Sequence, residues 1–291
     1  MKAVIQRDTN GIKALDFGEI EVEKFLPTSI LIKTSMVPLL PYDVMKLNGK
    51  IPVTLPHVLG YGAVGRVEKV GKFRSEKLIN QRVLVLNPSG TFKERITSHI
   101  PPLTISIPDA VTDSQAVSVV GGLDTAFVLY KKIIKSSHQI IVITGANSVI
   151  GLALLQLLKS SDKTIVPLIR EKSANYFQKR CKDYQLPVYS GDENLKLEAT
   201  LVVDIAGQEI LLKSYIERGV DIISIAQQNI LGVRFISEGI FPGEYAKLLE
   251  LLKNGDIILP IDREFYYHEI KEAINYQENF PSRGRNLISF V

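Results

Sequence analysis

Residues 143–151 read ITGANSVIG, between an apolar run, QIIV at 139–142, and a run of helical character, LALLQLLK at 152–159. Apolar strand, glycine-bounded turn and helix form the local shape that holds a diphosphate. A helix N-terminus offers unpaired N–H groups and the positive end of a dipole. Gly145 suits a backbone conformation that side chains resist, and Gly151 lets the helix approach the strand closely. The usual pattern has another glycine inside the turn, where Ser148 and Val149 stand here. A serine keeps a small side chain with a hydroxyl donor. A valine is bulkier, and binding needs it to point away. The other reading is a plain βα turn, since glycine-rich turns recur in proteins that bind no nucleotide.

Outward from this turn, strands and helices alternate. KTIVPLI (163–169) precedes SANYFQKRCKDYQ, ATLVVDIAG (199–207) precedes EILLKSYIERG, and DIISIAQ (221–227) closes the run. Continuous apolar strands between amphipathic helices mean a parallel sheet covered on both faces. The helix before the turn, QAVSVVGGLDTAFVLYKKII (115–134), takes Asp113 or Ser114 as its expected cap. Up to about residue 108 the style differs. KAVIQ, SILIKTSMV, GAVGRVEKVG and QRVLVLN are short strand-like runs separated by turn signals such as LPT and NPSG, an all-β module.

The 291 residues suffice for two domains, and 45% hydrophobic with 23% charged residues is ordinary for globular chains. The formal charge of +4 is spread, with short groups such as KRCK at 179–182, which reads as a solvated surface and not as a nucleic-acid partner. One cysteine, Cys181, allows neither an internal disulfide nor a thiolate zinc cluster. The expected setting is cytoplasmic, with no membrane partner, because no apolar stretch reaches the roughly 20 residues that span a bilayer.

Cofactor choice is read at the end of the second strand. An NAD-preferring site places an acid there for the ribose 2′-hydroxyl. Here PLIREK sets Arg170 and Lys172 around the spot, with Glu171 the nearby acid. Two cations suit a 2′-phosphate and so NADPH; the other reading is two solvated loop charges.

These pieces, in their order and spacing, resemble the medium-chain dehydrogenase/reductase superfamily, in its zinc-independent quinone-oxidoreductase and enoyl-reductase branch. MKAVI is similar to that family's first strand, LLPYDVMKLNGKIP to its Pro-x-Asp segment, and LPHVLGYGAVGRVEKVG to its glycine- and valine-rich stretch. GGLDTAFVLY resembles the helix with Thr-Ala near the nicotinamide, TIVPLIREK the NADPH-selective turn, and GRNLISFV the closing strand. The resemblance implies an α/β chain in two domains. Residues 1–112, completed by 256–291, would form a GroES-like substrate domain, and 113–255 an inserted Rossmann domain. It implies NADPH contacts from Gly145, Ala146, Asn147, Ser148, Val149 and Ile150, and from Arg170 and Lys172. Thr125, Ala206, Gly207, Ile225, Ala226 and Gln227 would lie near the ribose and nicotinamide, and a homodimer is common among relatives.

Departures from the pattern shape the expected chemistry. Where zinc-dependent relatives carry Gly-His-Glu, this chain reads Gly60-Tyr61-Gly62, and His57, His99, His138 and His268 have no ligand spacing, so no metal is expected. The enoyl reductases' tyrosine after the glycine is replaced by Lys50 and Ile51, and the quinone reductases' Asn by Leu40. Tyr42 and Tyr61 are the nearest replacements, either as donors to a substrate carbonyl or as packing residues with bonded hydroxyls. The chain is also shorter than typical relatives, with the gap after QQNILGVRF. The expected activity is NADPH-dependent hydride transfer to a quinone or α,β-unsaturated carbonyl compound. The rival is a nucleotide-binding sensor or partner-binding protein of the same fold that has lost catalysis.

Overall fold

The computed structural model describes residues 1–181, 188–189, 198–280 and 283–291. The chain forms two compact units, Met1–Gly121 with Phe241–Val291, and Gly122–Ile240. The first unit runs β1 (Lys2–Gln6), β2 (Leu15–Glu19), β3 (Ile30–Leu39), α1 (Pro41–Leu47), β4 (His57–Val58) and β5 (Gly62–Val70). It continues with β6 (Arg82–Leu86), β7 (Arg95–Ser98), β8 (Thr104–Ser106) and α2 (Asp113–Val117). The second unit holds α3 (Asp124–Lys135), β9 (Ile140–Thr144), α4 (Val149–Leu157), β10 (Thr164–Arg170) and α5 (Ala174–Arg180). It ends with β11 (Val188–Tyr189), β12 (Leu201–Asp204), α6 (Glu209–Ile216), β13 (Asp221–Ser224) and β14 (Val233–Phe235). The chain then re-enters the first unit as α7 (Pro242–Lys253), β15 (Ile261–Tyr266), α8 (Ile270–Asn279) and β16 (Arg285–Ser289).

Both boundaries differ from the expected 112/113 and 255/256. The helix foreseen through 115–134 breaks at Val120 (ψ 126°) and Gly121 (φ +61°), a left-handed conformation that glycine adopts without steric cost. The part before the break, α2, packs on β3 and β5. Helix α7 packs on β8 and α2, which moves it out of the parallel-sheet unit. The foreseen cap also changes. Thr112 caps α2, its Oγ1 accepting from the Gln115 N–H at 3.2 Å. Asp113 is engaged elsewhere, by Arg82 at 2.8 Å and the Ser35 hydroxyl at 2.7 Å. In the helix read from SANYFQKRCKDYQ, α5 covers 174–180, and 182–185 lie outside the described residues.

In the first unit a seven-stranded sheet is ordered β15–β16–β3–β5–β6–β8, with β7 also on β3, beside a smaller sheet β2–β1–β4. The closing strand β16 pairs antiparallel with β3 and parallel with β15, so the tail completes the N-terminal module. Alternate residues of β3 and β5 (Ile30, Ile32, Ala63, Val67) turn inward with Leu47, Phe92 and Ile274. Each fully buried aliphatic or aromatic side chain contributes about 1.5–3 kcal/mol. Within the unit Lys93, only 1% exposed, has its ammonium held by Glu23 at 2.8 Å. That pairing is what a buried cation requires.

The second unit's sheet is parallel throughout, in the order β11–β10–β9–β12–β13–β14. Its strands are apolar because both faces are covered, and Val142, Leu168, Val202 and Ile222 pack with Leu211, Leu212 and Tyr215. From β9 the chain winds to one side, then restarts at β12 and winds to the other. The C-terminal ends of β9 and β12 therefore flank a topological switch point, where open α/β sheets bind ligands.

Candidate nucleotide site

At that switch point three adjacent strands each end in a buried polar residue: Thr144 on β9, Asp204 on β12 and Ser224 on β13. Thr144 Oγ1 donates to Asp204 Oδ1 at 2.7 Å, and Ser224 Oγ donates to Asp204 Oδ2 at 2.6 Å. The Gly207 N–H adds the carboxylate's third bond, donated to Oδ1 at 3.0 Å. A buried carboxylate needs such donors, and bonds of this charged kind contribute about 1.5–3 kcal/mol each. The two hydroxyls in turn accept from the loops. Thr144 Oγ1 takes the Ile205 and Ala206 N–H groups at 3.1 and 3.2 Å, and Ser224 Oγ those of Ala226 and Gln227 at 3.0 and 2.9 Å. Gln227 Nε2 donates to the Gly207 carbonyl at 2.6 Å, and the Ile225 N–H to the Asp204 carbonyl at 3.1 Å. The loops after β12 and β13 are thus fixed by one carboxylate. The sequence reading named Ala206, Gly207, Ile225, Ala226 and Gln227 but missed Thr144, Asp204 and Ser224. The signal was present, since IT, VD and IS each end an apolar strand with a polar residue.

The turn after β9 has Gly145 at φ +63° beside Ala206, whose amide nitrogen lies 3.2 Å from where a Cβ would stand. At Gly151 a Cβ would lie 2.6 Å from the Ala146 backbone, so the helix–strand approach requires glycine there. Ser148 is the N-cap of α4, and its Oγ accepts from the Gly151 N–H at 3.0 Å. Its hydroxyl proton remains available for a ligand. Val149 is buried, 9% exposed, and so turns into the unit. The N–H groups of Val149 and Ile150 start the helix, where no intrahelical acceptor exists. Asn147 Nδ2 reaches Ser173 Oγ at 3.4 Å, tying this turn to the loop after β10. The residues present fit a dinucleotide diphosphate: a glycine-entered turn, a helix N-terminus and an inward-facing valine.

Arg170 ends β10 and is exposed, as are Glu171 and Lys172. With the Gln208 amide oriented to satisfy both groups, its oxygen accepts from Arg170 Nη2 and from Nε, the latter at 2.7 Å. Thr125 lies in the first turn of α3, where its hydroxyl bonds to Asp124 at 3.1 Å and, among the described residues, to none of the strand-end loops.

On the first unit, Tyr42 in α1 and Tyr61 just before β5 are 44% and 42% exposed. The residues next to them are joined, since Asp43 accepts from the Gly60 N–H at 3.1 Å and from the Leu40 N–H at 2.9 Å. The two tyrosines therefore sit on adjacent backbone segments. Burial pushes the Asp43 carboxyl up to about 6, against the lowering effect of those two N–H groups and of the Lys46 and Arg285 charges. Burial also lowers the His57 imidazole, with the nearby Lys46 charge acting the same way.

A cavity of about 800 Å³ lies in the second unit at the opposite, N-terminal end of the sheet, lined by residues including Lys135, His138, Asp221 and Arg234. It contains none of the residues read as cofactor-binding. Among the described residues, no three His, Cys, Asp or Glu side chains gather to hold a metal, and no helix is long and apolar enough to cross a membrane.

No family model matches the chain. The human synaptic vesicle membrane protein VAT-1 homolog is 30% identical over 115 residues, 38% of this chain, and the chain spans 28% of that relative's length. The rat protein of that name matches to the same extent. Solved structures match over the full length. The Coxiella burnetii quinone oxidoreductase has a TM-score of 0.85 at 19% identity, covering 100% of this chain and 99% of its own. The JamJ enoyl reductase has a TM-score of 0.82 at 14% identity, covering 99% of each chain. The chain has the medium-chain dehydrogenase/reductase fold, a GroES-like sheet followed by a parallel Rossmann sheet, and quinone oxidoreductases and enoyl reductases are among its full-length structural neighbours.

Proposed function

We propose that the protein is an NADPH-dependent, metal-independent oxidoreductase that transfers hydride to a quinone or an α,β-unsaturated carbonyl compound. The observation that carries this reading is the strand-end crevice: the Gly145–Ile150 turn, the loops fixed by Asp204, and Arg170 at the end of the neighbouring strand. The full-length likeness to quinone oxidoreductase and enoyl reductase structures supports it at the level of fold. When bound, the nicotinamide supplies the hydride, and the protein supplies orientation and a donor for the developing oxyanion. In this reading the α4 N-terminus and Ser148 bind the diphosphate. Arg170 and Lys172 bind the 2′-phosphate, and the Ala206–Gly207 and Ile225–Gln227 loops face the ribose and nicotinamide. Thr125 lies beside them in sequence expectation alone. Tyr42 and Tyr61 are the proposed donors to the substrate oxygen. Quinones need little acid assistance, which suits tyrosine hydroxyls as the donors. A cytoplasmic homodimer completes the reading.

The test is a titration following NADPH fluorescence, then turnover with panels of quinones and enones. NADPH binding with oxidation by one panel supports the proposal. Binding without turnover on either panel favours the nucleotide sensor, and absence of binding contradicts both.

A further inference from the structure

We infer that Gln208 is a cofactor-specificity residue, holding the Arg170 guanidinium across the mouth of the phosphate turn so that it meets a 2′-phosphate already aligned. The inference rests on the nucleotide reading above. It begins with the strand order β10–β9–β12. Arg170 is the last residue of β10, and Gln208 follows β12 as the N-cap residue of α6. A bond between them therefore spans the C-terminal end of β9, directly where the Gly145–Ser148 turn emerges.

Gln208 makes no side-chain capping bond to its own helix, so its amide is not committed to α6. With the amide oriented to satisfy both groups, its oxygen instead receives the Nε and Nη2 protons of Arg170. A guanidinium carries five N–H donors, and this contact uses two. The three that remain, two on Nη1 and one on Nη2, form the outer fork that a phosphate accepts in bidentate fashion. No carboxylate among the described residues pairs with Arg170. A glutamine suits this task because it fixes the guanidinium without cancelling the charge.

The second contribution is preorganisation. An exposed arginine loses rotamer freedom when a ligand immobilises it, and a neighbour that has already restricted it removes part of that cost. NADH lacks the phosphate and gains nothing from the arrangement. Gln208 therefore acts on the ratio of the two affinities and not on binding as such. Asn147 and Ser173 tie the turn after β9 to the loop that follows Arg170 at 3.4 Å, a bond that does not involve Gln208.

The test measures dissociation constants of NADPH and NADH for the wild type, Q208M, Q208E, R170A and the Q208M/R170A double variant. Methionine keeps the length of the side chain and removes the acceptor. Q208M is expected to weaken NADPH about three- to tenfold and to leave NADH within about twofold. Q208E, which neutralises the guanidinium, should weaken NADPH further. In the R170A background Q208M should have no effect on either cofactor. Equal weakening of both cofactors by Q208M, or tighter NADPH binding, overturns the inference. If the wild type binds NADH but shows no preference for NADPH, this inference fails while the nucleotide reading stands. Binding of neither cofactor removes both.

Discussion

Asp204 in the second unit and Asp43 in the first are both carboxylates withdrawn from water, at 0% and 2% exposure, yet they are supported differently. Asp204 receives two hydroxyls and one backbone N–H, and those hydroxyls pass the constraint on to four further N–H groups. Asp43 receives two backbone N–H groups, and burial still lifts its carboxyl to about 6. The first carboxylate organises loops at a proposed cofactor site. The second staples Leu40 and Gly60 beside two exposed tyrosines, in a form sensitive to pH near neutrality.

The largest expected effect comes from removing the organiser. Asp204→Ala leaves two buried hydroxyls and the Gly207 N–H without their acceptor, at an expected cost of about 3–5 kcal/mol in urea unfolding. Asp204→Asn, which retains one acceptor oxygen, should cost less than half as much. Equal stability of Asp204→Ala and wild type would show that the network contributes nothing.

Next in size is the staple. Because the Asp43 carboxyl lies above its ordinary value of 3.8, the folded state holds this proton more tightly than the unfolded chain. Its stabilising contribution is present in full below about pH 3.8 and is lost as pH rises through about 6. The loss amounts to roughly 3 kcal/mol between those limits. Unfolding free energies of wild type and Asp43→Asn, measured from pH 4.5 to 7.5, should therefore diverge in slope. The wild type should become less stable with rising pH relative to the variant. Parallel profiles would contradict the burial argument.

The smallest effect is at the helix cap. Ser148→Ala removes the acceptor for the Gly151 N–H and should cost about 1 kcal/mol of stability. It should also weaken NADPH and NADH alike, because in the proposed reading Ser148 binds the diphosphate common to both. A change confined to one cofactor would place the hydroxyl elsewhere.

The two regions also differ in how far the chain alone discloses them. The alternation of apolar strands and amphipathic helices carries the parallel sheet, and ITGANSVIG carries its strand–turn–helix, because both depend on local pattern. The burial of Val149 and the Ser148 cap are compatible with the diphosphate reading of that turn. Long-range pairings were not legible. Gln208 meets Arg170, and Asp204 gathers Thr144 and Ser224, only once the strands are ordered β10–β9–β12–β13. The domain boundary was misplaced for a similar reason. An apolar helical pattern runs through Val119–Leu123, and the break there lies in two backbone torsions that periodicity does not register. In the first unit Tyr42 and Tyr61 were read as the nearest replacements for the missing polar groups, and the Asp43–Gly60 bond that brings their segments together had no local signal.

The central claim, a crevice at the β9/β12 switch point that takes NADPH in preference to NADH, is tested most directly by titrating wild type and Arg170→Ala with both cofactors. The account gives the wild type a preference of about ten- to a hundredfold, from charged hydrogen bonds weakened by solvent at an exposed rim. Arg170→Ala should remove most of that preference and leave NADH binding nearly unchanged, and rising salt should shrink the wild-type preference. Equal affinity for the two cofactors in the wild type, or binding of neither, would contradict it.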